Sequence, residues 1–185
     1  MRIRPLYDAE ITAVYQNYLT ADFPDDERKP LRMIREALAR DEYDCLGLFE
    51  GDVLRGYAFF VRIVHEQKQY LLLDYFAVLP EYRGLGLGSA FLPMLCAHFP
   101  AAECLLIEIE EQAYTLPELR RRSFYLNCGC ADTGVCVLVY GVRYRLLEYP
   151  KQSVHDADDI RKIYALLYRQ VLQKEQFCTK IAFLS

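Results

Sequence analysis

The spacing of apolar residues changes period several times along the chain. Ile11, Val14, Tyr15 and Tyr18 share one stripe at helical spacing, which predicts a helix over Asp8 to Leu19. A short strand, Met1 to Leu6, precedes it. The polar, proline-bounded loop TADFPDDERKP follows it, and a second helix runs from Leu31 to Arg40. The pattern then becomes strand-like. DCLGLFEGD and VLRGYAFFVRIV are apolar stretches joined at Glu50-Gly51-Asp52, a hairpin signal. EQKQ makes the next turn, and Tyr70 to Val78 is a further strand. A glycine-rich turn leads into a helix from about Ser89 to His98. CLLIEIE, Cys104 to Glu110, reads as a strand, and Leu116 to Cys128 as a helix stopped by Gly129. Two strand-like runs close this part, GVCVLVYG and VRYRLLEY.

The resulting order, β-α-α-β-β-β-α-β-α-β-β, places hairpins around one βαβ crossover and predicts an α/β domain with a mixed sheet. Beyond Pro150 the pattern turns helical again. Asp156, Asp158 and Asp159 lie where a helix N-terminus favours carboxylates, and Ile160, Ile163, Leu167 and Val171 follow at helical spacing. We read residues 1–149 as one domain and residues 150–185 as a helical extension packed on it. The same stripe on a dimer seam is the alternative.

Composition narrows the class. The 185 residues suffice for a real core, about 70% of the unfolded surface being buried at that size. A net charge of −4 argues against a binder driven by nucleic-acid phosphates. The seven cysteines form no CxxC pair, so neither zinc nor thioredoxin-like chemistry is indicated, and no metal is expected. Buried free thiols point to a reducing cytoplasm. The first residues, MRIRPLYDAE, lack the apolar region of a signal peptide, and no apolar stretch is long enough to span a bilayer, so no membrane partner is expected.

The most informative stretch is LPEYRGLGLGSAFL, Leu79 to Leu92. Gly84, Gly86 and Gly88 alternate between a strand and a helix. Backbone N–H groups in such a turn face one concavity, and the helix beyond adds its positive end, which together suit a phosphate. A P-loop would need GxxxxGK[ST], and no such lysine is present. A dinucleotide fingerprint would need glycine at Ser89 and the first βα unit of a fold.

RGLGLG resembles the R/Q-x-x-G-x-G/A pattern of the GNAT superfamily of N-acetyltransferases, with Arg83, Gly86 and Gly88 in register. DYFAVLPEY is similar to that family's fourth strand and its exit. FYLNCGC resembles its Y-x-x-x-G-F helix end, with Tyr125 and Gly129 in place. Cys130 stands where phenylalanine is usual. Glu118 and Arg121 stand where asparagine and alanine are common, which leaves the contacts of this helix to the cofactor open. The element order matches from the first strand to Tyr149. The resemblance implies the acyl-CoA N-acyltransferase fold, a mostly antiparallel sheet with helices on both faces, here with a C-terminal helical extension. It implies acetyl-CoA as cosubstrate, its pyrophosphate held by Arg83, Gly84, Leu85, Gly86, Leu87, Gly88 and Ser89. Ala77 and Val78 at the strand end complete the cofactor side.

The reaction so implied is direct attack of a primary amine on the thioester. The expected acceptor is a small molecule or a peptide, and the protein a monomer or homodimer. Three jobs follow. The developing oxyanion needs a donor, for which we assign the Val78 N–H. The leaving thiolate needs a proton or hydrogen bond, which the resemblance gives to Tyr125. The amine must lose a proton, since alkylammonium ions have pKa values of about 10. Glu108 and Glu110 share a strand face, and Asp74 interrupts an apolar strand. We rank Glu108 first as the base and Asp74 second. Arg120, Arg121 and Arg122 read as a solvated helix face, or as attraction for the CoA 3′-phosphate. His65, His98 and His155 receive no role. A non-catalytic acyl-CoA-binding module of the same fold is the alternative reading.

Overall fold

The computed structural model describes residues 1–24, 28–112, 114–150, 155–171 and 181–184. The chain divides into two compact units. One comprises Met1–Val61 and Leu73–Pro100, the other Arg62–Leu72 and Ala101–Ser185.

The first unit starts with β1 (Arg2–Pro5), paired antiparallel to β2 (Tyr43–Glu50). Helix α1 (Asp8–Val14) does not continue as one regular helix to Leu19. It passes into a π-helical segment, Tyr15–Leu19, and then a single turn, α2 (Thr20–Asp22). The residue inserted into the ladder turns the buried face to Leu19 and leaves Tyr15 and Tyr18 of the predicted stripe half-buried. Helix α3 (Leu31–Ala39) follows. β2 turns through Gly51, at φ 59°, into β3 (Val53–His65), with Tyr43 opposite Val61. β3 turns through Glu66 and Gln67, both at positive φ, into β4 (Lys68–Val78), and both strands run through the two units. Within the first unit each face of β3 has its own cover. Tyr57 reaches Asp22 of α2, and Phe59 stacks edge-on with Tyr43 and Tyr75. On the other face Phe60 meets Phe99, and Gly56 lies so close to Phe91 of α4 (Leu87–His98) that a Cβ would sit 3.3 Å from its ring.

The second unit holds β5 (Ala102–Glu110), α5 (Leu116–Asn127), β6 (Ala131–Val139) and β7 (Val142–Pro150). β7 pairs antiparallel with both β5 and β6, with Leu106 opposite Glu148. Thr115 and Glu118 form a reciprocal capping box on α5, and Gly129, at φ 92°, ends it. The expected C-terminal helix is α6 (Ala157–Val171), whose Ile160, Ile163 and Leu167 are buried within the chain. The Val171 side chain and Cys178 lie outside the described residues. The tail also contributes a strand, β8 (Ile181–Leu184), antiparallel to β6. The strand order is β1-β2-β3-β4-β5-β7-β6-β8.

Candidate active site

The glycine turn belongs to the first unit. After β4 a short 3₁₀ turn, Pro80–Tyr82, is fixed from below: the Leu79 N–H donates to the Arg55 carbonyl at 2.9 Å, and the Arg55 guanidinium stacks on the Tyr82 ring at 3.9 Å. Gly84 and Gly86 have φ of 77° and 75°, and Gly86 is the N-cap of α4, which begins at Leu87 rather than Ser89. A Cβ at either glycine would meet no protein atom within 4 Å. Packing therefore does not demand glycine here; the left-handed backbone does. The outcome is an exposed turn whose next N–H groups, at the start of a twelve-residue helix, have no partner inside that helix. This chemistry fits a pyrophosphate. Arg83 points partly elsewhere: its Nε donates to the Val78 carbonyl at 2.9 Å and its Nη2 to Asp22 at 2.6 Å.

Asp74 lies in the same unit. Its side chain is 5% exposed, and Lys29 Nζ donates to Oδ1 at 2.5 Å. The Tyr43 hydroxyl donates to Oδ2. Burial, with the Asp74 charge second, pushes the Tyr43 phenol well above its ordinary pKa, so it remains a neutral donor.

The second unit carries the other candidates. Glu108 Oε1 accepts from the hydroxyl of Tyr164 and from that of Tyr168 at 2.7 Å, both on α6. The Tyr164 phenol too is raised well above its usual value, chiefly by burial. Tyr125 is 7% exposed, and burial holds its phenol protonated far beyond neutral pH. Glu110 pairs with Arg121, and Arg122 reaches Asp132 at 3.2 Å, which occupies two of the three arginines of α5. Glu118 accepts from the backbone N–H groups of Tyr114 and Thr115 at 2.7 and 2.8 Å, so its departure from the family pattern is a helix cap. His155, given no role from sequence, donates its backbone N–H to Glu148 at 3.0 Å and brings Nδ1 to 2.5 Å from the other carboxylate oxygen. Glu148 is fully buried, and Cys104 lies alongside it, in the one Cys/His/acid group close enough for a metal among the described residues. The histidine already takes both oxygens, which makes the group a tie between β7 and the start of α6.

The sequence model of the acetyltransferase (GNAT) family matches residues 10–129. The chain belongs to the acetyltransferase (GNAT) family. A search of curated proteins finds no match. Solved structures show the same fold. A protein from Bacteroides thetaiotaomicron described as a GNAT-family acetyltransferase is 18% identical and aligns over 91% of this chain and 97% of its own, with a TM-score of 0.72. A spermidine N-acetyltransferase from Vibrio cholerae is 10% identical, over 81% and 93%, with a TM-score of 0.62. The ribosomal-protein-S18-alanine N-acetyltransferase from Escherichia coli is 16% identical, over 84% and 97%, with a TM-score of 0.58. As a GNAT acetyltransferase, the chain has its glycine turn, Asp74, Glu108 and Tyr125 inside the family match, whereas α6, which supplies both tyrosines on Glu108, lies beyond it. Among the described residues no helix is long and apolar enough to cross a membrane.

Proposed function

We propose that the protein transfers the acetyl group of acetyl-CoA to a small-molecule primary amine by direct attack. The observation that carries this is the turn at Gly84 and Gly86, left-handed at both, open to solvent and capping α4. Acetyl-CoA supplies the activated acyl group. The N–H groups from Leu87 to Ser89, with the positive end of α4, hold its pyrophosphate. The Val78 N–H donates to the developing oxyanion.

Glu108 takes the proton from the amine. Its two phenol donors orient the carboxylate and bring no charge to cancel its own. Asp74, ranked second from the sequence, is already occupied by the Lys29 side chain. Tyr125 acts on the leaving group, as a hydrogen-bond donor more than as an acid. A phenol raised above its ordinary pKa of about 10 cannot hand its proton outright to a thiolate whose pKa is about 8.5. It lowers the barrier by stabilising the thiolate charge. The named acceptors of the two N-acetyltransferases above, spermidine and a protein alanine, are both amines. No described cysteine is in a disulfide, which suits a reducing cytoplasm.

The test is calorimetric titration of CoA, followed by thiol release from acetyl-CoA over an amine panel. Saturable CoA binding and amine-dependent thiol release are expected. Absence of CoA binding at millimolar concentration sinks the reading.

A further inference from the structure

With Glu108 as proton acceptor, Asp74 needs another explanation. A carboxylate on an apolar strand, 5% exposed, is costly unless something cationic meets it. Here that cation is the chain's own Lys29, with Nζ at 2.5 Å from Oδ1, while the Tyr43 hydroxyl holds Oδ2 and the Tyr75 ring lies 5.8 Å from the ammonium. A carboxylate, a phenol that orients it and an aromatic ring beside the cation are the elements that recognise an alkylammonium ion.

The occupant is tethered in a particular way. The Lys29 N–H donates to the Tyr75 hydroxyl at 2.7 Å, and its carbonyl accepts from the Tyr15 hydroxyl at 3.1 Å. The backbone of Lys29 is pinned on both sides. Its side chain, 19% exposed, is held at one end only, and can leave Asp74 without any backbone bond breaking.

We propose that Asp74, Tyr43 and Tyr75 form a docking subsite for an ammonium group of the acceptor, which displaces the Lys29 side chain. The inference rests on the acetyl transfer to an amine proposed above. Asp74 stands four residues before Val78 on β4, about 13 Å of strand at the usual rise. An ammonium on Asp74 is therefore not the nitrogen that attacks at the Val78 N–H. The acceptor is of the class with two amino groups joined by an alkyl spacer: one end docks as a cation, and the other attacks after losing its proton. Lys29 competes with the docking end, so the apparent affinity of the acceptor falls by the fraction of molecules in which Asp74 is uncovered.

The experiment uses the full chain without CoA and follows the melting temperature against 1,4-diaminobutane, with sodium chloride matching ionic strength. Lys29→Met should melt lower than wild type, because it strips the cation from Asp74, and the diamine should restore it. The half-effect should come at a concentration at least about tenfold below that needed for wild type. Tetramethylammonium, which has no N–H to donate, should not substitute. Asp74→Asn should abolish the response. Should Lys29→Met not fold, Lys29→Arg keeps a cation on Asp74 and should demand more diamine than wild type. In turnover with acetyl-CoA, which needs a diamine long enough to span that stretch of strand, Asp74→Asn should raise KM for 1,8-diaminooctane about tenfold or more and leave KM for propylamine unchanged. No diamine response in Lys29→Met, an equal response in Asp74→Asn, or an unchanged requirement in Lys29→Arg overturns the proposal. Failure of CoA to bind would sink the donor reading and leave these titrations standing.

Discussion

Asp74 on β4 and Glu108 on β5 are both acids set in apolar strands, and each accepts from tyrosine, yet an ammonium also reaches Asp74 whereas two phenols converge on one oxygen of Glu108. Asp74 has one phenol and one ammonium, from Tyr43 and Lys29. Glu108 accepts from two phenols, Tyr164 and Tyr168. A carboxylate already paired with a cation is suited to exchanging one cation for another. A carboxylate oriented by phenol donors is the better placed of the two to take a proton from an amine. The two acids look alike in the sequence, and their different partners are the ground on which we propose different work for them.

The largest expected effect comes from removing the partners of one acid only. Ending the chain after Pro150 deletes α6, and with it Tyr164 and Tyr168, while leaving Tyr43 and Lys29 in place. It also uncovers the surface that buries Ile160, Ile163 and Leu167, each worth about 1.5–3 kcal/mol. The second unit should lose its cooperative melting, read by calorimetry, and all turnover should go. A truncated chain with wild-type turnover would show that Glu108 needs no support from α6.

Tyr125→Phe sharpens the comparison by sparing both acids. It removes one hydrogen bond to a developing charge, worth roughly 1.5–3 kcal/mol. Turnover should fall about 10- to 100-fold while CoA affinity in a calorimetric titration stays put. Weakened CoA binding with normal turnover would make Tyr125 a cofactor-packing residue.

Smaller effects come from taking one phenol from each acid. Tyr43→Phe and Tyr168→Phe should each cost roughly 1–3 kcal/mol in denaturant unfolding, the price of a donor lost from a buried acceptor. Only Tyr168→Phe should also move the acidic limb of the kcat/KM profile to higher pH, because a carboxylate stripped of a donor holds its proton more readily. The same shift in Tyr43→Phe would exchange the roles of the two acids.

The smallest effect calibrates the others. Glu10 accepts two hydrogen bonds from the Arg4 guanidinium at 2.7 Å, which lowers its pKa below the ordinary carboxylate range. Its folded value lies below its unfolded value of about 4.3, so the pair stabilises the fold above that pH and the contribution is lost as pH falls through the folded value. The melting-temperature gap between wild type and Glu10→Gln should be present at pH 7 and should narrow below about pH 4. A gap that persists there would mean that Glu10 acts through packing.

Local signals in the sequence carried much of this structure. Glu50-Gly51-Asp52 marks the hairpin, Gly129 the end of α5, and the alternating glycines the turn before α4. Each rests on backbone conformation within a few residues, as the positive φ of Gly51, Gly84, Gly86 and Gly129 confirms. What escaped was non-local or subtler than a period. The π-helical segment at Tyr15–Leu19 buries Leu19 where an ordinary helical period points to Tyr15 and Tyr18. IAFL is too short to announce β8, which exists through its pairing with β6. Lys29 lies 45 residues from Asp74, and Tyr164 and Tyr168 lie 56 and 60 from Glu108. No spacing rule joins residues that far apart. The available hint was the lone carboxylate on an apolar strand, which must find a donor somewhere. Glu148 in LLEY is a third instance, met by His155.

The central claim, that acetyl-CoA-dependent transfer runs on Glu108 while Asp74 holds a cation, is tested most directly by steady-state thiol release from acetyl-CoA with 1,8-diaminooctane in Glu108→Gln and Asp74→Asn. Glu108→Gln should lower kcat by about 10²-fold or more, the usual worth of a positioned base, with little change in KM. Asp74→Asn should raise KM and leave kcat within a few-fold of wild type. A collapse of kcat in Asp74→Asn with Glu108→Gln near wild type, or no thiol release from the wild-type protein, would contradict it.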